Sequence, residues 1–295
     1  MHMQYRKLGK SSLKVSVIGV GAEHLKKVPT REITEIFRFA LEQGINYFDL
    51  VWSFSNIVTG LSEALKGQNA KAVVAFHLRS CISNGEYKRS RDPAECEKHL
   101  RIQLDQLNMD SAPVLNIHYV PNIKVWRDLN RKGIVSLAVK LKEQGLAEAI
   151  SVSTHEPEVV SSAARSGVID SIMHQVSVAN HMYMARNKAL QVCSELGVGV
   201  VAMKPFAGGE LLRAGQRVKI PAYKTGWKTM TLDVPLNSTP VKLLSYTLSQ
   251  PGVCTAVTGV TSFKELAANL VYLTASKDDK DYGQIIGNLE KQAAV

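Results

Sequence analysis

The chain has 295 residues, of which 45% are hydrophobic and 21% charged, enough to bury one large core or two ordinary ones. No apolar run approaches the roughly 20 residues of a membrane span, and the opening residues lack the basic, apolar and small-residue succession of a secretory leader, so a cytoplasmic protein with no membrane partner is expected. The net charge of +10 invites an anion, but three Trp and no aromatic–basic repeat speak against nucleic acid.

In chain order, short β-branched runs alternate with longer helical patterns. Strands are predicted at 15–20, 46–50, 71–76, 113–118, 148–153, 171–176, 198–203 and 253–259. Helices are predicted at about 30–43, 56–67, 92–108, 131–144, 157–166, 185–196, 240–249 and 262–274. The first helix shows the logic, because Ile33, Ile36, Phe37, Ala40 and Leu41 share one face that stops at Gly44. Apolar strands without alternation need cover on both sides, which means a parallel sheet with helices outside it. Eight such units fit a closed (β/α)₈ barrel of the TIM type, one α/β domain over 1–295. The competing open sheet would carry G-x-G-x-x-G after its first strand, and 19-GVGAEH-24 lacks the third glycine. Two loops are long, about 78–91 and 207–239, and such loops in a compact domain are lids or ligand clamps. Cys81, Cys96, Cys193 and Cys254 show no metal or disulfide spacing, so thiols and no metal site are expected.

In a barrel, chemistry sits where strands end. Those ends carry Gly21, Asp49, His77, His118, Ser153 with Thr154, Gln175, Met203 with Lys204, and Gly259. A carboxylate, two imidazoles, a hydroxyl and an amide on one rim are too polar for core filling, since buried polar groups cost free energy unless paired. Each has a plain alternative as a helix cap or a satisfied core group, but their convergence favours Asp49 and His118 as functional.

The segments 5-YRKLGKSSLKVSVIGVG-21, 44-GINYFD-49, 117-IHYVPN-122, 151-SVSTHEPEVV-160, 200-VVAMKPFAGGELL-212 and 248-LSQPGVCTAVTGVTSFKELAANL-270 together resemble the aldo-keto reductase superfamily over nearly the whole chain. That resemblance implies a (β/α)₈ barrel binding NADP(H) or NAD(H) and passing hydride to or from a carbonyl, with an Asp, Tyr, Lys and His at the strand ends. Asp49 and His118 fall on the family's Asp and His. Its tyrosine corresponds to Phe54 and its lysine to His77. The resemblance implies a cofactor groove formed by Gly21, Ala22, Ser153, Thr154, Gln175, Met203, Lys204, Pro205, Phe206, Gly208, Gly209, Gly259, Thr261, Ser262, Glu265 and Asn269. Met203 replaces a nicotinamide-stacking tyrosine, and Gly259 and Glu265 replace basic residues for the adenosine phosphate, so the choice between NADP(H) and NAD(H) stays open.

Phenylalanine cannot protonate a carbonyl, and a positioned general acid is worth typically ~10²–10⁴-fold in rate. The expectation is therefore an NAD(P)-dependent oxidoreductase in which His118 or His77 donates the proton and Asp49 orients and charges the pair. Two alternatives are a redox-neutral lyase or epimerase using bound NAD(P), and a catalytically inactive nucleotide-binding subunit. Tyr87, Tyr223, Trp227 and neighbouring cations in the two long loops suggest a small anionic or polyhydroxylated substrate, or else a solvated surface. The sequence leaves the oligomeric state open.

Overall fold

The chain begins with two short strands, β1 (Tyr5–Lys7) and β2 (Lys14–Ser16), paired antiparallel with Tyr5 opposite Ser16. In the computed structural model, which describes residues 2–67, 72–83 and 85–293, this hairpin plugs one end of a barrel. At its turn, Gly9 has φ +53°, and a Cβ would fall 2.0 Å from the Asp170 carbonyl oxygen, so no side chain fits. The strand expected at 15–20 is two strands. The Ser16 hydroxyl donates to the Ile18 carbonyl at 2.7 Å, a local bond that bends the chain before β3 (Ile18–Gly21).

After β3 come β4 (Tyr47–Leu50) and β5 (Val73–Leu78), then a hairpin of β6 (Ser80–Ser83) and β7 (Glu86–Arg89). Lys71, the expected start of the third strand, lies outside the described residues, as do Asn84 in the loop at 78–91 and residues 1, 294 and 295 of the expected domain. The chain continues through β8 (Ala112–Ile117), β9 (Ala147–Ser153), β10 (Ser171–Gln175) and β11 (Gly199–Met203). A second hairpin, β12 (Arg217–Ile220) with β13 (Met230–Asp233), precedes β14 (Val253–Gly259). Strands β3, β4, β5, β8, β9, β10, β11 and β14 close into one barrel, each parallel to its neighbours. The (β/α)₈ expectation holds.

Alternation along each strand sorts the side chains into two layers. Tyr47, Val73, Ala75, Val114, Ala149, Met173, Val201 and Val257 fill the barrel together with Leu8 and Val15 of the plug. Phe48, Leu50, Val74, Phe76, Leu115, Ile117, Ile150 and Val152 point outward under the helices. The helices between strands include α1 (Thr30–Glu42), α2 (Ser55–Leu65) and α3 (Pro93–Leu107). The helix expected at 131–144 is α5 (Ile134–Glu143), and a helix that was not expected, α4 (Ile123–Arg131), precedes it. Asn122 starts α4 by accepting from the Val125 N–H at 3.0 Å, and Gly133 at φ +80° breaks the chain before α5.

Past α6 (Pro157–Arg165) and α7 (Met184–Glu195), the long segment at 207–239 holds β12, β13 and a short α8 (Ala222–Thr225), so it is structured where a loop was expected. The loop at 78–91 is likewise mostly the β6–β7 hairpin. Then α9 (Pro240–Leu248) and α10 (Phe263–Leu270) flank β14, and α11 (Lys277–Lys280) and α12 (Gly283–Ala293) follow. Among the described residues no helix is long and apolar enough to cross a membrane.

Candidate active site

Alternation continues past the apolar filling and raises polar residues into the barrel mouth. Asp49 is two residues beyond Tyr47, His77 two beyond Ala75, and Asn116 and His118 two and four beyond Val114. Adjacent strands then bring them together. His77 Nε2 lies 2.7 Å from Asp49 Oδ1, and His77 Nδ1 lies 2.8 Å from His118 Nδ1. The Asn116 amide nitrogen, Nδ2, sits 3.2 Å from His77 Nε2. All four side chains are buried. A hydrogen on His77 Nε2 directed at Asp49 leaves His77 Nδ1 to accept from His118 Nδ1–H, a pattern that meets Asp49 and His118 and leaves the Asn116 Nδ2 donor facing Nε2–H without an acceptor. His118 is held neutral because burial, then His77, Arg79 and Arg89, push its pKa well below the usual histidine value. His118 Nε2 is thereby left as an acceptor, and the Tyr87 hydroxyl is 2.7 Å from it.

The hairpin carrying Tyr87 is fixed at its base by Arg79. This residue is buried and has φ +85°, a left-handed conformation that costs of order 1–3 kcal/mol in a non-glycine residue. Its guanidinium donates to the carbonyls of Ser90 at 2.9 Å, Tyr119 at 3.2 Å and His118. The same arginine thus ties the hairpin's return to the end of β8.

From Asp49 and His118 a cleft of about 670 Å³ runs across the mouth, within the ~300–1,000 Å³ of small-molecule and cofactor sites. Trp52, Tyr87, Tyr119 and His155 wall one end. Gly21, Ser153, Met203, Lys204, Pro205, Phe206, Gly208, Gly209, Gly259, Thr261, Glu265 and Asn269 line the rest. Gly259 lets the His24 ring pack against this wall, since a Cβ there would lie 2.5 Å from His24 Cδ2. At the start of α10 the Ser262 hydroxyl accepts from the Glu265 N–H at 3.3 Å, and the Glu265 carboxylate accepts from the Thr261 N–H at 2.6 Å and hydroxyl at 3.0 Å. Glycine walls, a helix start and polar groups opening on one elongated cleft fit an extended phosphate-bearing cofactor.

Residues 17–287 match the aldo/keto reductase family. The chain belongs to the aldo/keto reductase family. It is similar to an uncharacterized oxidoreductase of Bacillus subtilis, 24% identical over 91% of this chain and 90% of that one. It is also similar to an L-galactose dehydrogenase of Arabidopsis thaliana, 25% identical over 92% of this chain and 88% of that one. In structure it resembles the holo form of an aldo-keto reductase from Bacillus halodurans, with a TM-score of 0.76 at 23% identity, covering 98% of this chain and 96% of that chain. The protein is accordingly an oxidoreductase of the aldo/keto reductase type, a family whose members bind NAD(P)(H).

Several expected site residues of this aldo/keto reductase stand away from the cleft wall. Phe54 precedes α2 as its N-cap and is half-buried, with the Lys26 ammonium 4.2 Å above its ring. His77 lies behind His118 rather than on the rim. Ala22, Thr154 and Ser262 serve the backbone: Thr154 donates its hydroxyl to the Val120 carbonyl at 2.7 Å, and Ala22 is buried at the end of β3. Gln175 is covered by the segment at 221–228, where its amide donates to the Tyr223 carbonyl at 2.6 Å and its Oε1 faces Gly226 without a hydrogen-bond partner. Lys204 donates to the same carbonyl at 3.1 Å.

Sequence reasoning missed Asn116 and Arg79. Asn116 carried a usable signal, because two residues before His118 on one strand is the same face. Arg79 carried none, since its role depends on a backbone bend and on carbonyls contributed by residues 90, 118 and 119.

Proposed function

We propose that this aldo/keto reductase interconverts a carbonyl and an alcohol with NAD(P)(H), and that Asp49, His77 and His118 replace the general acid absent at Phe54. The continuous contact from carboxylate through two imidazoles to the cleft carries this reading. A nicotinamide in the groove would supply or accept the hydride. Gly21, Ser153, Met203, Gly208, Gly209, Gly259 and Asn269 would hold the dinucleotide beside the histidines. The protein's own contribution is proton handling. His118 and His77 hold a proton between them, and Asp49 is the counter-charge that makes a protonated pair tolerable in a buried place.

Trp52, Tyr87 and Tyr119 offer flat apolar faces beside that proton path, and one relative is named an L-galactose dehydrogenase. Both support a small hydroxylated, sugar-like substrate. Glu265 stands where the family resemblance puts the residue for the adenosine phosphate, and a carboxylate there favours NAD(H) over NADP(H).

The test compares Phe54→Ala with His118→Ala, using NADH and NADPH against 4-nitrobenzaldehyde and NAD⁺ and NADP⁺ against L-galactose. His118→Ala should lose about 10²–10⁴-fold in kcat, while Phe54→Ala stays within about tenfold of the parent. Cofactor binding, read by tryptophan fluorescence, should hold in both. Equal losses would count against the reading.

A further inference from the structure

His118 is the last imidazole of the line, yet its outer nitrogen does not face the cleft bare. The Tyr87 hydroxyl caps Nε2 at 2.7 Å, with the two rings edge-on at 90°. Tyr87 is 36% exposed and lines the cleft next to Trp52, so a single phenol touches both the buried relay and the space where substrate lies. A substrate oxygen could reach His118 Nε2 only by displacing it. Arg79 ties the return of the hairpin at Ser90 to the backbone of His118, which sets the base from which Tyr87 reaches that ring.

We propose that Tyr87 is the catalytic residue that exchanges the proton with the substrate oxygen, supplying from the β6–β7 hairpin the hydroxyl absent at Phe54. This rests on the oxidoreductase reading above and assigns its terminal donor.

The hydrogen pattern defines the step. In the neutral line, Tyr87 O–H donates inward to His118 Nε2, and its oxygen presents a lone pair to the cleft. That is the base form, suited to alcohol oxidation. The substrate O–H breaks and its proton bonds to the Tyr87 oxygen. The former Tyr87 proton goes to His118 Nε2, and the His118 Nδ1 proton goes to His77 Nδ1. His77 is then a cation against the Asp49 carboxylate, and an oxidised nicotinamide held in the groove would be the acceptor for the hydride of the carbinol C–H. With that extra proton in place every bond between the rings and Tyr87 is reversed: His77 donates to His118, His118 donates to the Tyr87 oxygen, and the phenol proton points into the cleft. That is the acid form, suited to carbonyl reduction. No isolated phenolate forms in either direction, which fits a phenol whose pKa burial raises, against the lowering pull of Arg89 and Arg79.

Tyr87→Phe keeps the ring and removes the hydroxyl. With the probes named above, it should lower kcat in both directions by about 10²–10⁴-fold and leave cofactor affinity unchanged by tryptophan fluorescence. Tyr87→Phe combined with His118→Asn should be no worse than the poorer single variant, because the two act as one unit. As a readout independent of turnover, the ¹⁵N NMR signal of His118 Nε2 should shift in Tyr87→Phe from that of a hydrogen-bonded acceptor to that of an unbonded one.

Full activity in Tyr87→Phe with loss in His118→Ala would overturn this inference and leave the oxidoreductase reading standing. An unshifted His118 signal would also overturn it. Full activity in both variants, or no turnover by the parent in either direction, would overturn the reading itself.

Discussion

On the β4, β5 and β8 side of the cleft, Asp49, His77, His118 and Tyr87 are each bonded to the next by contacts of 2.7–2.8 Å. The β11, β14 and α10 side is walled by Gly208, Gly209 and Gly259 and covered by a segment reached from 48 residues away in sequence, Gln175 to Tyr223. The first side is a line of protein side chains in contact with one another, and the second is a wall along open cleft volume that a ligand can fill. Proton transfer needs preset geometry, whereas a groove for an extended ligand needs absent side chains. Under the proposed function the two halves of one rim meet these opposite requirements.

The strongest way to break this contrast is Asp49→Asn. The amide still fits beside His77 Nε2 but cannot balance a charge on the histidine pair. The expected result is a loss of about 10²–10⁴-fold in kcat, with nicotinamide affinity within a few-fold of the parent. If kcat is kept and affinity falls instead, Asp49 belongs functionally to the groove, and the division of the rim fails.

A second experiment contrasts imidazoles with and without a route for the proton. His174 on β10 is buried and its Nδ1 lies 2.9 Å from the Thr154 carbonyl, so that nitrogen carries a hydrogen it cannot pass on. Burial pushes its pKa down to about 4, against a raising effect of the Thr154 bond and a lowering effect of Arg186. The unfolded chain, with an ordinary histidine near pH 6.5, therefore takes up the proton first. The contribution is complete above about pH 6.5 and is lost as pH falls toward 4, by roughly 2–3 kcal/mol at pH 4.5. His118, also lowered, adds a loss of the same sign. Denaturant midpoints from pH 7.5 to 4.5 should show the decline, and His174→Gln, which keeps a donor for Thr154, should flatten it. An unchanged acid limb in that variant would mean that another group governs it.

How much of this could be read beforehand follows from what each feature depends on. Asp49, His77 and His118 were legible because a strand's end in a (β/α)₈ barrel is a fixed address, and strand ends show in apolar runs. The relay's order was not, because it depends on which rings face each other across β5 and β8. Tyr87 was visible only as an aromatic in a basic loop. Its meeting with His118 requires the hairpin, and the hairpin requires Arg79 in an unusual backbone conformation. Gln175 was placed correctly at a strand end, and its cover by Tyr223 could not be inferred from local sequence. The split of the run at 15–20 came from one serine hydroxyl bonding two residues onward, a choice that apolar pattern does not register.

The smallest expected effect tests the groove side directly. The Glu265 carboxylate is held by the Thr261 N–H and hydroxyl at the edge of the cleft. A phosphate on the adenosine ribose brought within about 4–5 Å of it would meet a repulsion of about 1–4 kcal/mol per charge pair between bulk-water and surface dielectric values. Exposure and salt keep the net effect near the lower end. NADH should therefore bind about tenfold more tightly than NADPH in low-salt buffer, Glu265→Gln should narrow the gap, and Glu265→Arg should reverse it, all by tryptophan fluorescence titration. Lys204 and Lys224 also line the cleft and act in the opposite sense. Equal affinity for the two nucleotides in the parent, unchanged in Glu265→Arg, would mean that these lysines govern phosphate recognition and that the α10 end of the groove carries no selectivity.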